Sequence, residues 1–145
     1  VRNWIIELLA NEPDGYIGSR TGWHYQEAVY SAQIKQLIKP SDVPEKDAEE
    51  FEFRDVMARS VFSLCPSGSG PNSIRLWEAI CDGSIPVILS DLWLPPGDER
   101  LWQAACVFVS ETPQAVKQVP TILRGIAADP AQILEKQAAL KLLKM

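Results

Sequence analysis

At 145 residues, with 46% hydrophobic and 23% charged side chains, the chain is long enough for one domain whose core takes roughly two-thirds of the unfolded surface out of water. Its 14 basic and 19 acidic side chains leave a net charge of −5, which argues against nucleic acid or an anionic membrane as main partner. No apolar run approaches the roughly 20 residues that cross a bilayer, and the N-terminal residues carry no signal-peptide pattern.

From the N-terminus, Arg2 to Ala10 sets Trp4, Ile5, Leu8 and Leu9 on one helical face, which predicts a helix lying on a sheet. Asn11-Glu12-Pro13-Asp14-Gly15 breaks it, and Tyr16-Ile17-Gly18 reads as a short strand. Ala28, Val29, Ala32 and Leu37 repeat at helical spacing within Tyr25 to Ile38, and the prolines of Lys39 to Glu45 make a loop. Acidic Asp47 to Ala58 forms another helix with Phe51, Val56 and Met57 turned inward, followed by the strand Val61 to Cys65. After a central segment treated below, Leu92 to Gly97 is a loop, Glu99 to Ala104 a short helix and Cys106 to Val109 a strand. Helices over Pro113 to Ala128 and Ala131 to Lys144 close the chain. Four short strands alternating with helices predict an α/β fold, a mainly parallel sheet covered on both faces with right-handed crossovers. Such sheets bind ligands beyond the carboxyl ends of their strands, where Gly18-Ser19-Arg20, Pro66 to Ser73 and Ser90-Asp91 converge.

The central segment carries the chemistry. Cys65-Pro66-Ser67-Gly68-Ser69-Gly70-Pro71-Asn72-Ser73 runs from the strand through a glycine-rich turn into the helix Ile74-Arg75-Leu76-Trp77-Glu78-Ala79, which Asp82-Gly83 ends. With Asn72 or Ser73 as N-cap, Arg75 falls in the first turn, where unpaired N–H groups already make a positive end. A cation there is stabilised by an anion, so the amides of Ser67 to Gly70 and the guanidinium together suit a phosphate or diphosphate. Glu78, one turn on, shares the face of Arg75 and suits ribose or sugar hydroxyls. The plainer alternative is an ordinary turn with Arg75 and Glu78 as an exposed ion pair, since the loop fits neither G-x-G-x-x-G nor the Walker pattern. The strand Ile85-Pro86-Val87-Ile88-Leu89, closing at Ser90-Asp91, completes a strand–loop–helix–strand unit.

Phe62-Ser63-Leu64-Cys65-Pro66-Ser67-Gly68, Arg75-Leu76-Trp77-Glu78-Ala79 and Gly83-Ser84-Ile85-Pro86-Val87-Ile88-Leu89-Ser90-Asp91 resemble the C-terminal part of exostosin-type glycosyltransferases. The match is dense over Arg59 to Asp91, and Val1-Arg2-Asn3 and Pro120 to Ile126 also fit. The resemblance implies a Rossmann-like three-layer α/β/α domain, residues 1–145, forming the nucleotide-sugar-binding half of a two-domain GT-B enzyme. Arg75 would face the diphosphate, Glu78 the ribose, and Ser67, Gly68, Ser69, Gly70, Asn72 and Ser73 the phosphates or donor sugar. The implied activity is inverting transfer from a nucleotide diphosphate sugar, UDP by default, to a saccharide acceptor, without a metal or other cofactor. The acceptor-binding N-terminal half, expected to carry the catalytic base, is absent, as are the strand and glycine-bearing loop that would precede the helix at Arg2. The rival reading is a non-catalytic Rossmann-like module that binds a nucleotide or a protein.

Arg20 is a further candidate for the diphosphate, and Asp91 for turn capping or a sugar hydroxyl rather than a metal. His24, the single histidine, reads as a solvated or packing residue, and Trp93 with Pro95-Pro96 as a stiffened lid. Cys65, Cys81 and Cys106 stand singly without zinc spacing and read as buried free thiols, which sets the expectation of a cytoplasmic protein. An anchor upstream would instead place it in the Golgi lumen.

Overall fold

Ile85-Pro86-Val87-Ile88-Leu89 is apolar at every position, and alternate residues of a strand point to opposite faces, so this segment requires a layer on each side. It is the middle strand of the sheet in the computed structural model, which describes residues 2–17, 44–68 and 73–145. In chain order the elements are α1 (Arg2–Leu9), α2 (Pro44–Arg59), β1 (Phe62–Pro66), α3 (Ile74–Asp82), β2 (Ile85–Leu89), α4 (Glu99–Ala105), β3 (Val107–Phe108), α5 (Pro113–Ala127) and α6 (Pro130–Lys144). The chain divides into two compact units. One holds residues 1–17 and 60–145 and contains the three described strands, and the other holds residues 18–59, of which α2 is described.

The strands pair in the order β1-β2-β3, all parallel, with Cys65 opposite Ile88 and Ile88 opposite Phe108. Ile85, Val87 and Leu89 point into a core with Val107 and Val109, closed by Ile5 and Leu9 of α1 and Val116 and Val119 of α5. The other face is covered by α3, α4 and α6, whose Leu76, Ala79, Ile80, Trp102, Ala105, Ala139 and Leu140 are buried. The result is the expected α/β/α layering. Pro86 is tolerated in a central strand for a local reason. Ile85 N donates to Val61 O at 2.8 Å and Ile88 O accepts from Val109 N at 2.9 Å, so odd positions bond towards β1 and even ones towards β3. β3 begins only at Val107, opposite Val87, so the missing N–H of Pro86 breaks no described strand pairing.

Helix ends follow the sequence closely. Ser73, Asp98, Thr112 and Asp129 each accept from a first-turn N–H, and Pro113 and Pro130 occupy the first helical position, where no N–H is needed. Gly83 closes α3 in the left-handed region at φ 78°, with Gly83 N and Ser84 N donating to Ile80 O and Ala79 O. α6 docks through buried Ala139 and Leu140, and Lys144 Nζ donates to Cys81 O at 2.5 Å. Among the described residues no helix is long and apolar enough to cross a membrane.

Several expectations are corrected. Tyr16 and Ile17 form no strand, so the described residues hold three strands rather than four. Ile17 instead packs on the core from irregular backbone after the Glu12–Gly15 turn, a burial that needs no pairing. Gly18, and the helix expected over Tyr25 to Ile38, lie outside the described residues. Trp4 is exposed because it sits about 120° around α1 from the buried Ile5 and Leu9. Phe51 is exposed while Met57 is buried, because six residues separate the two by about 120° around α2. Cys81 lies on the exposed flank of α3, whereas Cys65 and Cys106 are buried, and all three are free thiols.

Two glycines give opposite expectations. Nothing lies within 4 Å of a Cβ built at Gly83 or at Gly125, so packing is not at issue at either position. Gly83→Ala forces a side chain into the left-handed region and should cost about 1 kcal/mol, whereas Gly125→Ala in α5 should add about 0.5–1 kcal/mol. Urea denaturation of both variants checks this, and changes of the same sign would contradict it. The thiols give a second expectation. Burial pushes Cys65 up to about 12 from the ordinary 9.0, with neighbouring Cys106 adding to the rise, and burial does the same to Cys106. Alkylation of the native protein at pH 8 should therefore modify Cys81 and spare the other two. Because the folded values are raised, the stability linked to these thiols is whole below pH 9.0 and is lost as pH climbs towards about 12. Native labelling of Cys65 as fast as Cys81 would contradict this account.

Candidate functional site

The parallel strands deliver their carboxyl ends to one edge. β1 ends at Pro66, and Ser67 N extends its ladder by donating to Leu89 O at 3.1 Å. Gly68 follows, and the next described residue, Ser73, is the N-cap of α3, its Oγ accepting from Arg75 N at 3.3 Å. Of the two cap candidates, Ser73 fills the role, and Arg75 stands in the first turn, among the N–H groups a helix leaves unpaired.

Arg75 Nε lies 3.7 Å from Glu78 Oε2, so the two share a face as their spacing requires. Both side chains are about 40% exposed, and a loose pair in that setting is worth a few tenths of a kcal/mol. The guanidinium also acts on the end of β1. The Cys65 thiol is raised by burial and then by Cys106, and the positive charge of Arg75 works against that rise.

The sequence reading missed Glu111, three residues beyond β3. Its carboxylate accepts from the Ser67 hydroxyl through Oε1 and from Asp91 N at 3.2 Å through Oε2. Asp91 Oδ2 in turn accepts from Ser110 Oγ at 3.2 Å and from Glu111 N at 3.1 Å. This reciprocal clasp ties the ends of all three strands together. The available signal was positional: Val109-Ser110-Glu111 follows β3 much as Ser90-Asp91 follows β2. Arg2 is the second residue missed as a site candidate, with Nη2 3.6 Å from where a Cβ at Gly68 would stand.

Of the sequence candidates, the described residues bring together Ser67, Gly68 and Asp91 at the strand ends, with Ser73, Arg75 and Glu78 at the start of α3. Asp91 thus holds the two residues Ser110 and Glu111 beyond β3 through its carboxylate. Ser69, Gly70, Asn72, Arg20 and His24 lie outside the described residues. Trp93 packs edge-on to Trp102 at 5.1 Å, Trp77 packs on the same ring at 5.8 Å, and Trp102 Nε1 donates to Pro96 O at 2.7 Å. The Leu92–Gly97 loop is accordingly held stiff by aromatic contacts. Among the described residues, no three His, Cys, Asp or Glu side chains gather as metal ligands would.

Known proteins share this arrangement of sequence. A rice protein named Probable glucuronosyltransferase GUT1 (Oryza sativa subsp. japonica) is 47% identical over 132 residues, 90% of this chain and 29% of its own length. Arabidopsis thaliana Probable beta-1,4-xylosyltransferase IRX10 is 44% identical over 89 residues, 61% of this chain and 21% of its own length. Drosophila melanogaster Exostosin-1 is 31% identical over 97 residues, 66% of this chain and 12% of its own length. The chain therefore spans under a third of the length of each of these relatives. The Exostosin GT47 domain matches residues 4–126, from α1 through nearly all of α5, and the chain belongs to the exostosin GT47 family.

Proposed function

We propose that this chain is the donor-binding part of an inverting glycosyltransferase that uses a nucleoside diphosphate sugar, with UDP as its first candidate nucleotide. The observation that carries the reading is the Ser73-capped start of α3, with Arg75 in its first turn, at the carboxyl end of a parallel strand. Family membership supports it, as do the relatives' names, which speak of glucuronosyl and xylosyl transfer.

In this reading the β-phosphate oxygen leaves the anomeric carbon as an acceptor hydroxyl attacks from the opposite face, which inverts configuration. Negative charge grows on the departing diphosphate, where the α3 amides and Arg75 stabilise it without reorganisation. Glu78, one turn further along the same face, accepts hydrogen bonds from the ribose hydroxyls. The acceptor's proton passes to a general base supplied from outside this chain, together with the acceptor site. The guanidinium and helix end carry the electrostatic task, so the proposal calls for no metal.

Arg75→Ala should weaken UDP binding by about 1.5–3 kcal/mol, roughly 10- to 150-fold, as measured by calorimetry. Glu78→Gln should weaken UDP more than pyrophosphate, because only UDP carries a ribose. Unchanged UDP affinity in Arg75→Ala would overturn the diphosphate role, and equal losses for both ligands in Glu78→Gln would overturn the ribose contact.

A further inference from the structure

The loop after β1 is electrically divided. At Gly68 the neighbouring charge is the Arg2 guanidinium, reaching across from the first turn of α1. At Ser67, one residue earlier and about 3.8 Å away along the chain, the hydroxyl is bound by the Glu111 carboxylate. Asp91 stands beside Glu111, each accepting from the other's backbone N–H. Two successive residues of the loop therefore face charges of opposite sign, and the negative side is a pair of carboxylates fixed at the strand ends.

We propose that this division orients the donor and selects its sugar. The proposal rests on the donor-site reading above. The diphosphate lies on the Gly68 side, against Arg2 and the first turn of α3, and the sugar lies over Ser67, Asp91 and Glu111. Phosphate oxygens only accept hydrogen bonds and carry charge, so the carboxylates repel them from that end and the guanidinium draws them to the other. A neutral, hydroxyl-rich ring offers donors that carboxylate oxygens accept. A uronate ring brings a third carboxylate against two that are already held in place, and like charges so juxtaposed are disfavoured. The relatives are named for both chemistries, a glucuronosyl and a xylosyl transfer, and the acidic pair assigns this chain to the neutral class.

The test is calorimetric titration of the protein with UDP, UDP-xylose and UDP-glucuronate, for the wild type and for Glu111→Gln, Asp91→Asn, Arg2→Ala and Arg75→Ala. The wild type should bind UDP-xylose about tenfold more tightly than UDP-glucuronate. Glu111→Gln, whose amide oxygen can still accept from Ser67 and Asp91, should narrow that ratio, and Asp91→Asn should do so independently. Arg2→Ala should weaken UDP and both sugar donors by a similar factor, leaving the ratio in place. Wild-type binding of UDP-glucuronate as tight as that of UDP-xylose overturns the proposal without any variant. A preference that persists in both carboxylate variants overturns the assignment to Asp91 and Glu111, and an Arg2→Ala protein that binds like the wild type removes Arg2 from the diphosphate end. If UDP binding depends on Arg75 but no sugar discrimination appears, only this proposal fails. Failure of every uridine ligand to bind, or binding indifferent to Arg75→Ala, overturns the donor-site reading and this proposal with it.

Discussion

The rest of the structure depends on the burial of β2. All five of its side chains are shielded from water, and a strand with no polar face is stable only between two layers. α1 and α5 supply one layer and α3, α4 and α6 the other. With β1 and β3 both parallel to β2, every described strand ends at the same edge. The chain must leave β1 there and start α3 there, so unpaired helix amides and the loop polar groups meet for topological reasons, before any ligand is considered.

Ionic groups at that edge are arranged around this constraint. Arg75 stands where the backbone is already positive, with its Nε 3.7 Å from Glu78 Oε2. Sequences that break a local rule in this way tend to do so at functional sites. The carboxylates of Asp91 and Glu111 do the opposite, satisfying backbone N–H groups that the strand ends would otherwise leave to solvent. The acidic side of the edge is thus closed on itself.

What the sequence revealed followed from local chemistry. Ser73 announces a helix start, Gly83 a helix end, and the unbroken apolar run at 85–89 a buried strand, each through interactions among near neighbours. Arg75 and Glu78 were legible as a pair because helical spacing alone sets their distance. Glu111 and Arg2 were not legible as site residues, because they meet Ser67 and Gly68 only through packing of elements far apart in the chain. Tyr16 and Ile17 misled for a related reason: an apolar residue such as Ile17 packs on a core equally well with or without a strand partner, and Tyr16 beside it is exposed. Trp4 was misplaced because four apolar residues span more of a helix than its buried stripe covers.

The central claim is that the strand ends and the start of α3 form one nucleoside diphosphate site. Backbone amide chemical shifts followed during titration with UDP test it most directly. The account predicts shifts concentrated at Ser67, Gly68 and Ser73 to Glu78, with Asp91 and Glu111 joining when a sugar is attached to the nucleotide. Shifts concentrated at the opposite edge of the sheet, around Val61, Ser84 and Cys106, would contradict it.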